Sequence, residues 1–226
     1  MLKTETRISK VETLPPARRC RVVVIWIDWY AYHVARFRGL LTNPTLKGSV
    51  IGIEMVGGVG VHAGLKFREE LPDDMPIETL MPGSSWNQAG QLRLAWKLWK
   101  RLTTLSPEVV LVPGYYTLPA LAAALWAKWH RRRRVLMTES AQGDHPRSSW
   151  KESLKGFVIC KLFDWAVAGG KPHATYLERL GFPSDRIGNF YDVVDNCYFR
   201  NRCSELRLRV PSDFGLPCRY FLYVGR

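Results

Sequence analysis

Hydrophobic residues in this chain fall into short runs separated by longer stretches of mixed polarity. Residues 21–27 (RVVVIWI) form a continuous apolar run rich in β-branched side chains, which is typical of a strand buried on both faces. Similar runs recur at residues 49–55, 76–81, 108–112, 134–138 and 166–170. Helical patterns lie between them, at residues 30–41, 84–105, 119–130, 150–164 and 172–180. This alternation predicts an α/β fold with a Rossmann-like, mostly parallel sheet and flanking helices.

The order of elements also predicts where a ligand binds. In open parallel sheets, ligands bind beyond the carboxyl ends of the strands. The loops that follow the strands are therefore the places to look for a site, at residues 28–32, 57–64, 83–86, 113–117, 139–147 and 169–173.

Two of these loops carry candidate chemistry. Tyr32 and His33 follow the first strand, where an aromatic face beside a polar group suits a sugar or polyol; the alternative is a helix start that packs on the core. Glu139 follows the strand at 134–138 and shares its loop with Asp144 and His145. Such side chains can hydrogen-bond the hydroxyls of a ligand, and Glu139 or His33 can act as a base, although hydrogen bonds within the loop explain them equally.

Charge points to an anionic partner. The chain has 33 Lys and Arg against 20 Asp and Glu, a net charge of +13. Basic residues concentrate between positions 93 and 134, where tryptophans are interleaved with them. This combination suits an anionic membrane surface, whereas the alternative is tryptophans in the core and charges on a solvated face. Nucleic acid is the less favoured partner because no recognised binding motif accompanies the charge.

The cysteines indicate the cellular compartment, and the paired aspartates bear on whether a metal is bound. The five cysteines are scattered, odd in number and without a CxxC pair, which favours reduced thiols in a cytoplasmic protein. We expect a soluble protein or one held peripherally at the inner face of the cell membrane. Asp73-Asp74 and the pair Asp192/Asp195 are better explained as turn and capping acids than as a metal cage, so no metal and no cofactor is predicted.

The C-terminal third of the sequence carries a more specific pattern. Residues 169–183 (GGKPHATYLERLGFP) precede residues 192–199 (DVVDNCYF), and the chain closes with residues 221–226 (FLYVGR). This succession resembles the end of the N-terminal domain of GT-B glycosyltransferases of the group-1, family 4 type, followed by the linker and first strand of their donor domain. Residues 26–36 (WIDWYAYHVAR) are similar to the first strand and helix of such a domain.

The resemblance implies a domain organisation. It implies a flexible tail at residues 1–18, a Rossmann-like acceptor-side domain at 19–200, an interdomain linker at 201–218, and the first strand of a donor domain at 219–226. The remainder of that donor domain is expected to lie beyond residue 226, so the chain alone is expected to be inactive or nearly so.

The resemblance also implies an activity. It implies transfer of a sugar from a nucleotide-sugar to a glycan or lipid-linked acceptor, with basic side chains and helix N-termini neutralising the diphosphate in place of a metal. Arg226 matches the family arginine that contacts the donor diphosphate. Lys171 follows a tight Gly-Gly turn into a helix and is a candidate acceptor-binding residue. A non-catalytic binding module, or the remnant of a truncated gene, is the alternative.

Overall fold

The computed structural model describes residues 20–57, 75–144, 148–189, 192–207 and 211–215, together with residues 217, 219 and 221. The predicted tail, His145, Arg226 and most of the predicted final strand lie outside the described residues.

Seven strands form the sheet, six of them at the six apolar runs and the seventh a two-residue strand that no run predicted. They are β1 (Val22–Trp26), β2 (Val50–Val56), β3 (Ile77–Met81), β4 (Val109–Pro113), β5 (Arg133–Thr138), β6 (Trp165–Ala168) and β7 (Ile187–Gly188). The strand order is β3-β2-β1-β4-β5-β6-β7, and every neighbouring pair is parallel. The predicted α/β fold with a parallel, Rossmann-like sheet is therefore confirmed.

Six helices follow the strands, of which the first five connect one strand to another and the sixth comes after β7. They are α1 (Ala31–Leu41), α2 (Gln91–Leu105), α3 (Leu118–Trp129), α4 (Ser149–Leu162), α5 (Lys171–Arg179) and α6 (Asn196–Leu206). No helix in the described ranges is long and apolar enough to cross a membrane.

The core divides into two layers. On one face, buried side chains of α2, α3, α4 and α5 pack on the sheet, including Leu98, Trp126, Ile159 and Leu177. On the other face, Phe37 of α1 packs with strand residues and with Trp29. Helices thus cover opposite faces, as a parallel sheet with right-handed crossovers requires.

Helix α2 begins later than predicted. The sequence pattern predicts a helix from residue 84, but the residue that precedes the helix is Gly90, which has φ 71°. The Ser85 hydroxyl instead donates to the side-chain oxygen of Gln88 at 2.9 Å. Serine side chains compete for such local bonds, so residues 84–89 form turns and the helix starts only after them.

Helix α6 was not predicted. It lies where the acceptor-side domain was expected to pass into the linker, and it crosses the predicted boundary at residue 200. The Asp195 carboxylate caps it by accepting the Tyr198 backbone N–H at 2.9 Å. None of its residues is buried in the structure, so no periodic apolar pattern marks the helix in the sequence.

The tryptophans between residues 86 and 129 divide between core and surface. Trp126 is buried, and Trp86 and Trp99 pack against the core. Trp96 and Trp129 remain 60% and 81% exposed. The core and surface interpretations therefore each hold for part of the set.

Candidate functional site

A crevice opens at the carboxyl edge of the sheet between β1 and β4. These strands are neighbours, but the chain leaves β1 toward β2 on one side and leaves β4 toward β5 on the other. The helices that follow them cover opposite faces, so the loops after β1 and β4 diverge. Such a topological switch point is where open α/β sheets bind their ligands.

A buried carboxylate fixes the loop after β1. Glu54 of β2 is fully buried and accepts the Trp29 backbone N–H at 3.3 Å and the Thr79 hydroxyl at 2.7 Å. The Trp29 indole N–H donates to the Ile53 carbonyl at 3.2 Å, and its ring is 1% exposed. Trp29 is thus a core residue, and its anchoring determines where the preceding Asp28 projects.

Asp28 lies directly at the carboxyl end of β1. Its side chain is 8% exposed, and Asp28 Oδ2 accepts the Tyr30 hydroxyl at 2.7 Å. A carboxylate that is nearly buried but already hydrogen-bonded keeps a fixed direction, which suits it to orient a ligand hydroxyl.

His33 is buried at the first turn of α1. Its Nδ1 accepts the Tyr30 backbone N–H at 3.3 Å, and its ring stacks on Trp26 with centroids 3.8 Å apart. Burial, with a further contribution from nearby Arg36, lowers the pKa of His33 to about 3, while a hydrogen bond to the Asp28 backbone opposes this effect. The ring is therefore neutral near pH 7 and helps to cap the helix. Its predicted role as a base stays a prediction, and this geometry favours a positioning role because a base works best with a pKa near the operating pH.

Four side chains from the segments that follow β1, β4 and β5 lie near one another at the crevice, and we call them the edge cluster: Asp28, Tyr32, Tyr116 and Glu139. Tyr32 is 39% exposed; burial and then the charge of Glu139 raise its pKa, with smaller contributions from other nearby charges. Tyr116 is 75% exposed at the mouth; partial desolvation, then Asp28 and Glu139, raise its pKa. Both phenols are therefore protonated near pH 7, beside two carboxylates.

An ion pair closes one side of the crevice. Arg36 of α1 pairs with Asp192, and the Arg36 Nε also donates to the Val193 carbonyl at 3.0 Å. Asp192 in turn lies against Gly169 after β6, where an added Cβ would stand 3.3 Å from the Asp192 Cβ and 3.0 Å from His173 Nδ1. The absence of a side chain at Gly169 thus allows Asp192 and His173 to pack against the backbone at this position.

The remaining predicted site residues differ in placement. Asp144 is exposed, and its Oδ2 accepts the Ala141 backbone N–H at 2.6 Å, so it organises its own loop. Lys171 is exposed at the first residue of α5. Tyr32 and Glu139 are brought together, whereas His145 and Arg226 lie outside the described residues. Within the part of the chain that the structure describes, no three His, Cys, Asp or Glu residues are grouped as metal ligands.

Four residues of this region were not among the candidates: Asp28, Arg36, Tyr116 and Asp192. The loops at 28–32 and 113–117 had been selected for position, and the only available signal for Asp28 and Tyr116 was that they follow a buried strand. No local pattern links Arg36 to Asp192, because they lie 156 residues apart in sequence.

No protein-family model and no curated protein sequence matches this chain. Among solved structures, it is similar to UDP-N-acetylglucosamine 2-epimerase from Rickettsia bellii, with 15% identity and a TM-score of 0.52 over 88% of this chain and 52% of that one. It is also similar to Anabaena HepE in complex with UDP and glucose, with 13% identity and a TM-score of 0.50 over 75% of this chain and 44% of that one. The chain thus spans about half the length of each of these proteins. At such identities the likeness shows the fold, which is that of the Rossmann-like half of a GT-B protein.

Proposed function

We propose that this chain is the acceptor-binding half of a glycosyltransferase that moves a sugar from a nucleotide-sugar to a glycan or lipid-linked acceptor. The observation that carries the proposal is the edge cluster, in which two carboxylates and two protonated tyrosines share one crevice at the switch point of the sheet.

This arrangement suits a sugar hydroxyl. An acceptor hydroxyl can donate to a carboxylate and accept from a phenol, and aromatic rings pack against the apolar faces of sugars. In this proposal Glu139 receives the proton of the acceptor hydroxyl, while Asp28, held by Tyr30, orients the ring. His33 and Trp29 position the start of α1 and keep Tyr32 facing the crevice.

The donor half of the reaction is assigned by resemblance. The leaving diphosphate needs its charge neutralised as the bond to the sugar breaks. Arg226 and the backbone amides of the turn at residues 169–171 are the proposed contributions of this chain, without a metal, whereas the Lys171 side chain stays assigned to the acceptor. Most contacts to the nucleotide are expected from a second domain.

A second candidate is a nucleotide-sugar epimerase. It is favoured by the similarity to the UDP-N-acetylglucosamine 2-epimerase from Rickettsia bellii. The two candidates differ in the partner of the edge cluster, which is a separate acceptor in a transferase and the sugar of the nucleotide-sugar itself in an epimerase.

Saturation-transfer NMR on the 226-residue chain tests the proposal. We expect transfer to the sugar protons of at least one member of a panel of octyl glycosides. We expect Glu139→Gln and Tyr116→Ala to remove it and Glu178→Gln, on the exposed face of α5, to leave it unchanged. Incorporation of deuterium at carbon 2 of UDP-N-acetylglucosamine in heavy water would favour the epimerase, because inversion by proton transfer must exchange that hydrogen. Absence of any glycoside signal would contradict the acceptor assignment.

A further inference from the structure

We propose that the outer face of α4, together with a basic cluster beside its C-terminal end, docks this protein on an anionic membrane surface. The inference does not depend on which sugar reaction the protein performs. It places the apolar part of the contact on α4, outside the tryptophan-rich segment at 93–134 that the sequence indicated, and keeps the basic residues at the end of that segment.

An apolar stripe runs along the solvent side of α4. Trp150, Leu154, Phe157 and Val158 are 66%, 56%, 64% and 38% exposed. Their spacing of i, i+4, i+7 and i+8 puts them on one side of the helix. The helix buries Ile159 and Leu162 against the sheet, so the stripe is additional to the core-facing side. We call these four residues the α4 stripe.

Positive charge flanks the stripe. Lys151 and Lys161 are exposed, and Lys155 is half-buried. The acid in this helix is Glu152, which bonds the Lys155 ammonium at 2.7 Å and also accepts the Tyr176 hydroxyl. An apolar helix face bordered by lysines has the composition of helices that lie in a membrane interface.

A basic groove continues the surface at the amino edge of the sheet. The Lys128 ammonium donates to the Lys161 carbonyl at 3.0 Å and so joins the end of α3 to the end of α4. Beside it lies a groove of about 640 Å³ whose lining includes Lys128, Arg131, Arg132, Arg133, Trp165 and Arg186. We call its basic residues the basic cluster. The acid of this groove, Asp164, is engaged by Arg134. Trp129, 81% exposed, lies next to it in sequence, and such pairing of tryptophan with basic residues suits an anionic interface.

A second groove leads from the stripe toward the carboxyl edge. It has a volume of about 310 Å³ and is lined by Tyr115, Lys151, Lys155 and three members of the α4 stripe. Tyr115 belongs to the same loop as Tyr116 of the edge cluster. On the proposed function, a lipid-linked acceptor would therefore reach the crevice from the membrane along this groove; only this step rests on that function.

Charge complementarity favours a lipid surface over the other occupants. A second copy meeting this face in a symmetric contact would bring basic clusters of like charge toward each other. A nucleic acid would use the cluster but leave the α4 stripe in water. An anionic bilayer uses both, because phosphates meet the cations while the apolar side chains enter the interface.

Flotation of the full 226-residue chain with vesicles tests the inference. We expect weak binding to phosphatidylcholine and strong binding when 30% of it is replaced by phosphatidylglycerol, with a loss on raising NaCl from 0.1 to 0.5 M. Leu154→Ser combined with Phe157→Ser should weaken partitioning about tenfold, since both apolar contacts are lost. Arg131→Glu combined with Arg133→Glu should weaken it more than twentyfold, because each basic residue near the surface contributes about fivefold.

Matched controls distinguish binding through this face from effects of overall hydrophobicity or net charge. Tyr198→Ser with Phe199→Ser removes two aromatic side chains of similar exposure from α6. Arg38→Glu with Lys47→Glu makes the same change in net charge at exposed positions in and just after α1, the helix on the other side of the sheet. Both controls should bind like the unmodified chain, and all variants should keep its melting temperature. Equal loss in variant and control would overturn the docking face. So would a charge variant that lowers duplex DNA binding while the stripe variant leaves vesicle binding intact, or a dimer that only the stripe variant dissociates.

Discussion

Glu139 differs from the other acid of the edge cluster in its exposure to solvent. Asp28 is almost buried and holds the Tyr30 hydroxyl, whereas Glu139 is exposed at the end of β5. We expect Glu139→Gln to lower transfer by roughly 100-fold or more in a protein that carries both domains, as loss of a general base does. The melting temperature should stay within a degree or two of the parent, because an exposed side chain contributes little to stability.

The measurement is a turnover assay alongside thermal unfolding. Glu178→Gln is the control for a lost exposed carboxylate. Unchanged turnover in Glu139→Gln would remove the base from the proposal and leave Glu139 as a hydroxyl-binding residue at most.

His33 makes stability depend on pH. Its pKa in the folded chain is about 3, against an ordinary value of 6.5, so the unfolded state binds the proton more readily. The stabilisation that comes from keeping the ring neutral is fully present above about pH 6.5, and it is lost as the pH falls toward 3. At pH 5 the loss is about 2 kcal/mol relative to pH 7.5.

Urea unfolding at pH 7.5 and pH 5 measures this loss. His33→Gln should be less stable than the parent at pH 7.5 by about 1 kcal/mol, since the cap and stacking are impaired. Its further loss between the two pH values should be smaller than that of the parent by about 2 kcal/mol. Parallel pH curves for the two proteins would show that folding does not lower the pKa of His33.

At the scale of elements, two helical glycines differ in their surroundings. A Cβ at Gly156 of α4 would overlap the Leu180 carbonyl oxygen at the end of α5, closer than real Cβ contacts come. A Cβ at Gly39 of α1 would meet nothing within 4 Å. The first glycine therefore allows two helices to approach, and the second has no packing role.

Alanine at the two positions should shift stability in opposite directions. Gly156→Ala should destabilise by about 1–3 kcal/mol, because the clash is with backbone and outweighs the gain in helix propensity. Gly39→Ala should stabilise by about 0.5–1 kcal/mol through that gain alone. Denaturant unfolding measures both, and a stabilising Gly156→Ala would contradict the close approach of α4 to the end of α5.

The elements that the sequence predicted are those whose burial follows from local pattern. β2 is buried along its whole length and β1 up to Trp26, and both appear as predominantly apolar runs, which Glu54 interrupts in β2. Helix α6 shows the reverse case. None of its residues is buried, so the burial that imposes helical or strand periodicity on a sequence was absent there.

For the whole molecule, the main expectation concerns the donor. The chain spans about half the length of the GT-B-like proteins it resembles, and the resemblance to glycosyltransferases assigns most nucleotide contacts to the other half. We expect calorimetric titration of this chain with UDP-sugars to show no binding tighter than about 1 mM, and turnover to be absent. Micromolar binding would place the donor site in this half and reverse the assignment of the edge cluster to the acceptor.

The sequence alone was sufficient for the architecture and for the edge of the sheet where a site should lie. A parallel strand buried on both faces must be apolar along its length, so the pattern of β1, β2 and β4 is local, and the position of their carboxyl-end loops follows from it. Tyr32 and Glu139 could be selected because they follow a strand at its carboxyl end. Asp144 met the same criterion, but its carboxylate accepts a hydrogen bond from the backbone of its own loop.

Tertiary structure decided which of these residues meet and in what state. The pairing of Arg36 with Asp192, the approach of Tyr116 to Asp28, and the burial that keeps His33 neutral all depend on neighbours distant in sequence. The same holds for the α4 stripe, whose apolar residues would suit a core as well as a surface. Local pattern determines which side chains can be buried together, whereas desolvation, charge and exposure depend on what the rest of the fold places beside them.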